Sequence, residues 1–149
     1  MMGRVENLWV KRFAGGPMDP VEHLELVATQ GIIGNADQGG WRQVTVISRE
    51  RWNQAEADLG AAIDPELRRA NMLVTGLDLA DTRGQVLEIG DVRLEIRGET
   101  RPCRLMDEQH DGLKDALDAE WGGGAFAYVH TGGTIHVGDE IRLVAPSTD

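Results

Sequence analysis

A chain of 149 residues, 41% hydrophobic and 27% charged, suits one domain (1–149) with a core large enough to fold unaided, and excludes a disordered polymer. A net charge of -10 argues against wholesale binding to nucleic acid or to an anionic membrane surface. One cysteine excludes an internal disulfide, and with no apolar run long enough for a signal peptide or a span, the expected location is cytoplasmic.

In chain order, GRVENLWVKRF (3–13) alternates imperfectly but reads as a first strand, VEHLELVA (21–28) as a second and WRQVTVIS (41–48) as a third. Ser48 is a good N-cap for a helix over 49–59 that Gly60 ends. DPELRR (64–69) predicts one helical turn, with Asp64 as cap and Pro65 in first position. QVLEIGDVRLEIRG (85–98) has two β-rich arms joined at Gly90-Asp91, the arrangement of a two-residue type II′ hairpin. A second amphipathic helix is expected over 110–122, with Leu113, Ala116, Leu117 and Trp121 facing inward. TIHVGDEIRLV (134–144) repeats the hairpin device at Gly138-Asp139. Short strands, paired Gly-Asp turns and 19 glycines predict a mainly β fold, a small closed or partly open β-barrel with two or three short helices.

Three stretches carry candidate chemistry. Cys103 sits in GETRPCRLMDE (98–108), with Arg97, Arg101 and Arg104 close in sequence. Guanidinium groups favour a thiolate, and Pro102 removes a ladder donor, so the thiol is expected at a strand end or edge. With no second cysteine to resolve a disulfide, the choice lies between a packed thiol and a single-thiolate site for a soft metal or one sulfur atom. Arg69 and Asn71 in RRANMLVTGLDL (68–79) stand where a helical turn hands over to a strand, offering a charged fork and a two-faced amide at a barrel rim, or else a surface ion pair and a turn cap. The glycine-rich loop 29–43, which contains Arg42, and the run Gly122-Gly123-Gly124 allow close backbone approach, though turn and packing roles are commoner. His130 and His136 flank TGGTI, where a hairpin could bring them together, but without metal-ligand spacing or a supporting Cys or carboxylate the pair reads as structural.

Taken in order, GIIGNADQGG, RQVTVIS, RRANMLVTGLDL, LEIGDVRLEI, RPC and GGAFAYVHTGGTIHVGDEIRL resemble the MOSC domain, the C-terminal module of molybdenum cofactor sulfurases that also occurs alone in bacteria. The resemblance implies a barrel of the pyruvate-kinase type. It also implies a cysteine, here Cys103, that carries sulfur as a persulfide or ligates molybdenum in members that reduce N-hydroxylated compounds. It places Arg69 and Asn71 near the pterin of the molybdenum cofactor (molybdopterin). The candidate cofactor-binding set is then Arg69, Asn71, Arg101, Arg104, Arg42, Gly123 and Gly124, with Cys103 as catalytic residue and metal ligand. The chain departs from the family pattern at Gly34-Asn35-Ala36-Asp37, where Gly-Asp and a basic residue are common, and at Gly122-Gly123-Gly124, where many members have an arginine. Within 149 residues there is no room for an iron–sulfur, flavin or pyridoxal-phosphate domain, so sulfur or electrons are expected from a partner, a cysteine desulfurase or a redox protein. The alternatives are a metal-free persulfide carrier and a degenerate, non-catalytic binding module.

Overall fold

A computed structural model describes residues 2–102 and 104–146, and of Arg104 and Leu105 the backbone alone. The elements are β1 (Met2–Lys11), β2 (Met18–Val21), β3 (His23–Val27), β4 (Gly31–Ile32), β5 (Val44–Ser48), α1 (Arg49–Leu59), a 3-10 turn (Pro65–Arg68), β6 (Met72–Thr75), β7 (Val86–Ile89), β8 (Val92–Glu99), α2 (Arg104–Gln109), α3 (Leu113–Leu117), β9 (Ala125–Thr131), β10 (Gly133–His136) and β11 (Glu140–Val144).

Seven strands close a barrel in the order β11-β7-β8-β9-β5-β6-β1, with β1 pairing back onto β11 and β2 added outside on β1. All these pairings are antiparallel except β5 with β6. A second sheet, β10-β3-β4, shares no ladder with the barrel strands but packs Leu24, Leu26, Ile32 and Ile135 into the same core. Closure leaves no open edge in the seven-stranded ring, and Pro20, which cannot donate to a ladder, falls in the added strand β2.

The imperfect alternation of β1 has a structural cause. A bulge between Val5 and Asn7 shifts the register against β6, so that Val5, Leu8 and Val10 all enter the barrel core. Trp9 points the other way, into a separate cluster with Met18, Ile47, Ala70 and Leu73. A third cluster joins the helices: Trp52 and Ala55 of α1, Ile63, Met106 of α2, and Leu113 and Leu117 of α3. Within it the Trp52 indole N–H donates to the Ile63 carbonyl at 2.8 Å.

The local signals around α1 hold. Ser48 accepts from the Arg51 N–H and Gly60 closes the helix at φ 64°. Gly90 has φ 58° while Asp91 does not turn positive, which fits a type II′ turn between the paired Ile89 and Val92.

Two expectations are corrected. Gly138-Asp139 does not join a hairpin, because β10 pairs with β3 whereas β11 pairs with β7 and β1. The turn docks instead on β1, where the Gly138 N–H donates to the Val5 carbonyl and the Val5 N–H to the Asp139 carbonyl. The helix expected over 110–122 is confined to Leu113–Leu117, and a separate helix, α2, precedes it. Gly112 (φ 84°) divides the two helices, and Glu120 and Trp121 take left-handed conformations beyond them. Trp121 still packs on the barrel core, but from outside the helix.

Candidate functional site

Cys103 lies outside the described residues, but the chain on both sides of it is tied down. Strand β8 ends at Glu99, and the Thr100 N–H then donates to the Gly124 carbonyl at 2.9 Å. Arg68, at the end of the 3-10 turn, donates from Nε to the Gly123 carbonyl (2.8 Å) and from Nη2 to the carbonyls of Thr100 (2.9 Å) and Arg101 (3.5 Å). Pro102 is buried beside Gly123, where an added Cβ would stand 3.0 Å from Pro102 Cδ and 2.3 Å from the Thr100 oxygen. On the far side, α2 starts at Arg104 and is anchored through Met106 in the Trp52 cluster. Residues 100–102 are therefore held by a guanidinium clamp, and residues 106 onward by hydrophobic burial. The Thr100 hydroxyl oxygen is buried with no hydrogen-bond partner among the described residues.

Arg68 is the residue that sequence reasoning missed in favour of its neighbour. Arg69 adopts φ 62° as the cap of the 3-10 turn and donates from Nη2 to the Gly16 carbonyl. It lines a cleft of about 160 Å³ with Pro17, Met18, Glu66, Leu67 and Gln109. Nothing local separates the two arginines. Only the left-handed cap, which reverses the chain after Arg68, sends one to the Cys103 segment and the other toward residues 16–18.

Asn71 is 4% exposed, and its carboxamide is fully engaged. Its Oδ1 accepts from the Thr45 N–H (3.1 Å) and hydroxyl (3.2 Å), while its Nδ2 donates to the Trp9 carbonyl and to Asn35 Oδ1, both at 3.2 Å. Asn35 Oδ1 also accepts from the Lys11 N–H at 2.9 Å. The departure in the glycine-rich loop thus falls on a buried residue (5% exposed) that ties the loop to β1 and to Asn71. The acceptor used there is an oxygen that aspartate also has.

The other candidates scatter. The Arg101 side chain is 84% exposed, with Nε 3.7 Å from Glu99 Oε1. Arg101→Ala is therefore expected to change stability by no more than about 0.5 kcal/mol in a denaturant titration. Arg42 stacks on the Phe126 ring, its guanidinium carbon 4.5 Å from the centroid. Of Arg104 only the backbone is described. Gly123 and Gly124 are buried, and an added Cβ at Gly124 would stand 2.3 Å from the Val46 oxygen.

The glycine run has guanidinium neighbours from distant parts of the chain. Arg51 of α1 donates to the carbonyls of Ala116 and Ala119 and stands 2.6 Å from where a Gly122 Cβ would be, while Arg68 holds Gly123. Where the resemblance expects an arginine in the run itself, the structure brings two from elsewhere.

His130 and His136 do not face each other. His130 Nε2 lies 2.7 Å from Glu95 Oε1, and His136 pairs across the strands with His23, their rings 5.9 Å apart. Among the described residues no group of three or more His, Cys, Asp and Glu side chains could hold a metal ion. No helix among them is long and apolar enough to cross a membrane.

The family model of the MOSC domain matches residues 12–142. Among solved structures, the YuaD protein from Bacillus subtilis superimposes with a TM-score of 0.82 at 22% identity, covering 99% of this chain and 98% of that one. YiiM from Escherichia coli gives 0.74 at 16% identity, over 100% of this chain and 72% of the other. YiiM from Geobacillus stearothermophilus gives 0.73 at 20%, over 97% and 75%. At these identities the likeness is one of fold. No curated protein matches.

Proposed function

The chain belongs to the MOSC domain family, and on that premise we propose that it binds molybdenum through the Cys103 thiolate, for sulfur transfer or as the cofactor-bearing component of a reductase. The observation that carries this reading is the Arg68 clamp on the carbonyls of Thr100, Arg101 and Gly123, which fixes the backbone immediately before the one thiol in the chain. A cationic group spent on that segment favours a thiolate in it, and a soft thiolate suits molybdenum or a sulfane sulfur. The Thr100 hydroxyl, buried and without a partner among the described residues, adds a hydrogen-bond donor three positions before the thiol in sequence. When bound there, molybdenum would supply two-electron redox chemistry.

A pterin fits less well than the metal. Asn71 has no free hydrogen-bonding capacity, and Arg69 donates to the Gly16 carbonyl. Those engagements favour a second reading, a metal-free sulfur carrier. In it the Cys103 thiolate attacks the terminal sulfur of a desulfurase persulfide, forming a new S–S bond as the donor thiolate leaves.

Metal analysis of protein purified from a host that makes the cofactor tests the first reading, and intact mass after incubation with a cysteine desulfurase tests the second. Molybdenum in the wild type and none in Cys103→Ala is the expected result. A Cys103 adduct one sulfur atom heavier, removed by reductant and found without molybdenum, would move the assignment to the carrier. Neither signal in the wild type would leave a binding module without thiol chemistry.

A further inference from the structure

The outer face of β7, β8 and β9 is unlike the rest of this acidic protein. Alternation along the strands sends Glu88, Arg93, Glu95 and Arg97 outward with Phe126, Tyr128 and His130. Four of the arginines, Arg42, Arg83, Arg93 and Arg97, collect there against two carboxylates, Glu88 and Glu95, in a chain whose net charge is -10. Arg83 reaches across to the Arg97 carbonyl at 2.9 Å.

The aromatic side chains of this face are held in place by the cations. The Arg97 guanidinium lies between two rings, 4.5 Å from the Trp41 centroid and 4.7 Å from that of Tyr128, with its Nε 3.0 Å from Glu95 Oε2. Tyr128 meets His130 edge-on at 5.2 Å. Trp41 is nonetheless 59% exposed, so one face of a large indole is offered to solvent at a fixed position. Beside it a cleft of about 410 Å³ is lined by Gly84, Val86, Arg93, Glu95, His130 and Pro146. Tryptophan, tyrosine and arginine are the residue types that dominate protein-binding hot spots, and side chains ordered before binding lose little entropy on it.

We infer that this face docks an acidic segment of a partner protein. Discrete carboxylates can pair with Arg42, Arg83 and Arg93, and an apolar or aromatic side chain can cover Trp41. A nucleic-acid strand fits worse, because Glu88 and Glu95 interrupt the cationic surface that a continuous run of phosphates would need. Strand β8 of this face ends four residues before Cys103 in sequence and so leads directly into the thiol segment. To that extent the inference rests on the proposed function, in which such a partner supplies sulfur or electrons.

The test titrates a short peptide of alternating Asp or Glu with Phe and Leu into the isotope-labelled protein, beside the same peptide with lysine for each acid and a single-stranded oligothymidine. Expected are saturable shifts of the Trp41, Arg97, Tyr128 and His130 amides with the acidic peptide only. The apparent Kd should rise by about tenfold between roughly 50 and 300 mM salt. It should rise by a similar factor in Arg42→Glu/Arg93→Glu, whose exposed side chains can change without disturbing the fold. No shift on this face, equal affinity in the double variant, or binding of the oligothymidine alone would overturn the inference. Binding is read without cargo, so Cys103→Ala should dock the peptide normally. If Cys103 proves to carry neither metal nor sulfur, that result keeps the two conclusions separate.

Discussion

Asn71→Ala is expected to destabilise the protein by about 3–5 kcal/mol in urea denaturation, the largest effect of any side-chain deletion proposed for the candidate cofactor set. The substitution removes four hydrogen bonds inside a site that is 4% exposed. The Thr45 N–H, the Trp9 carbonyl and Asn35 Oδ1 each lose a partner where water cannot easily replace it. Those groups belong to β5, β1 and the glycine-rich loop, so one carboxamide ties together three segments distant in sequence. Asn35→Ala should cost less. The double variant should fall short of the sum by about 0.5–2 kcal/mol, because the two side chains are direct partners. Asn35→Asp should be tolerated far better than Asn35→Ala, since the acceptor oxygen persists. A loss below about 1 kcal/mol for Asn71→Ala would mean that the carboxamide is not needed by the fold, and would return Asn71 to the list of ligand-binding residues.

Gly124→Ala is the second large effect. At φ 102° alanine is strained wherever it sits, and here its Cβ would also stand 2.3 Å from the Val46 carbonyl oxygen and 2.8 Å from Ile47 Cγ2. Val46 is paired in β5 between two neighbouring strands, so the backbone it would strike cannot withdraw. A cost of about 3 kcal/mol or more follows. Gly138→Ala provides the control, since its φ is 93° but nothing lies within 4 Å of the added carbon. Strain alone should cost it about 1–2 kcal/mol. If the two variants lost equal stability, the close approach of β9 to β5 would not be what fixes glycine at position 124.

The sequence was informative where a signal is local. Ser48 and Gly60 mark α1 because a cap needs only its own turn, and Gly90 marks the β7–β8 hairpin because a two-residue loop fixes its own geometry. The same motif at Gly138 misled, because whether flanking strands pair is decided by the whole sheet. Barrel closure takes β11 to β1 and β7, and leaves β10 to β3. The helix read over 110–122 shrank for a related reason. Trp121 reaches the barrel core only after the chain turns through two left-handed residues, a tertiary demand that apolar spacing does not show.

At the candidate site the motif spacing singles out Arg69 and Asn71, whereas in the fold Arg68 reaches the segment before Cys103 and Asn71 bonds Asn35, thirty-six positions away. The Asn35 departure looked like a lost ligand carboxylate, and the structure shows it inside a hydrogen-bonded network of the fold. Around Gly122-Gly123-Gly124, Arg51 and Arg68 donate to the carbonyls of Ala116, Ala119 and Gly123. Such contacts across the fold are invisible to motif spacing, which compares neighbours in sequence only.

On the proposed function the chemistry lies at Cys103, while the Asn71 carboxamide serves the fold and the Arg101 side chain is exposed. The most direct measurement is the molybdenum content, per chain, of wild type, Cys103→Ala and Arg101→Ala purified side by side from a cofactor-producing host fed molybdate. Metal is expected in the wild type and in Arg101→Ala, and none in Cys103→Ala. Metal retained without the thiol, or lost with the exposed arginine, would contradict that assignment.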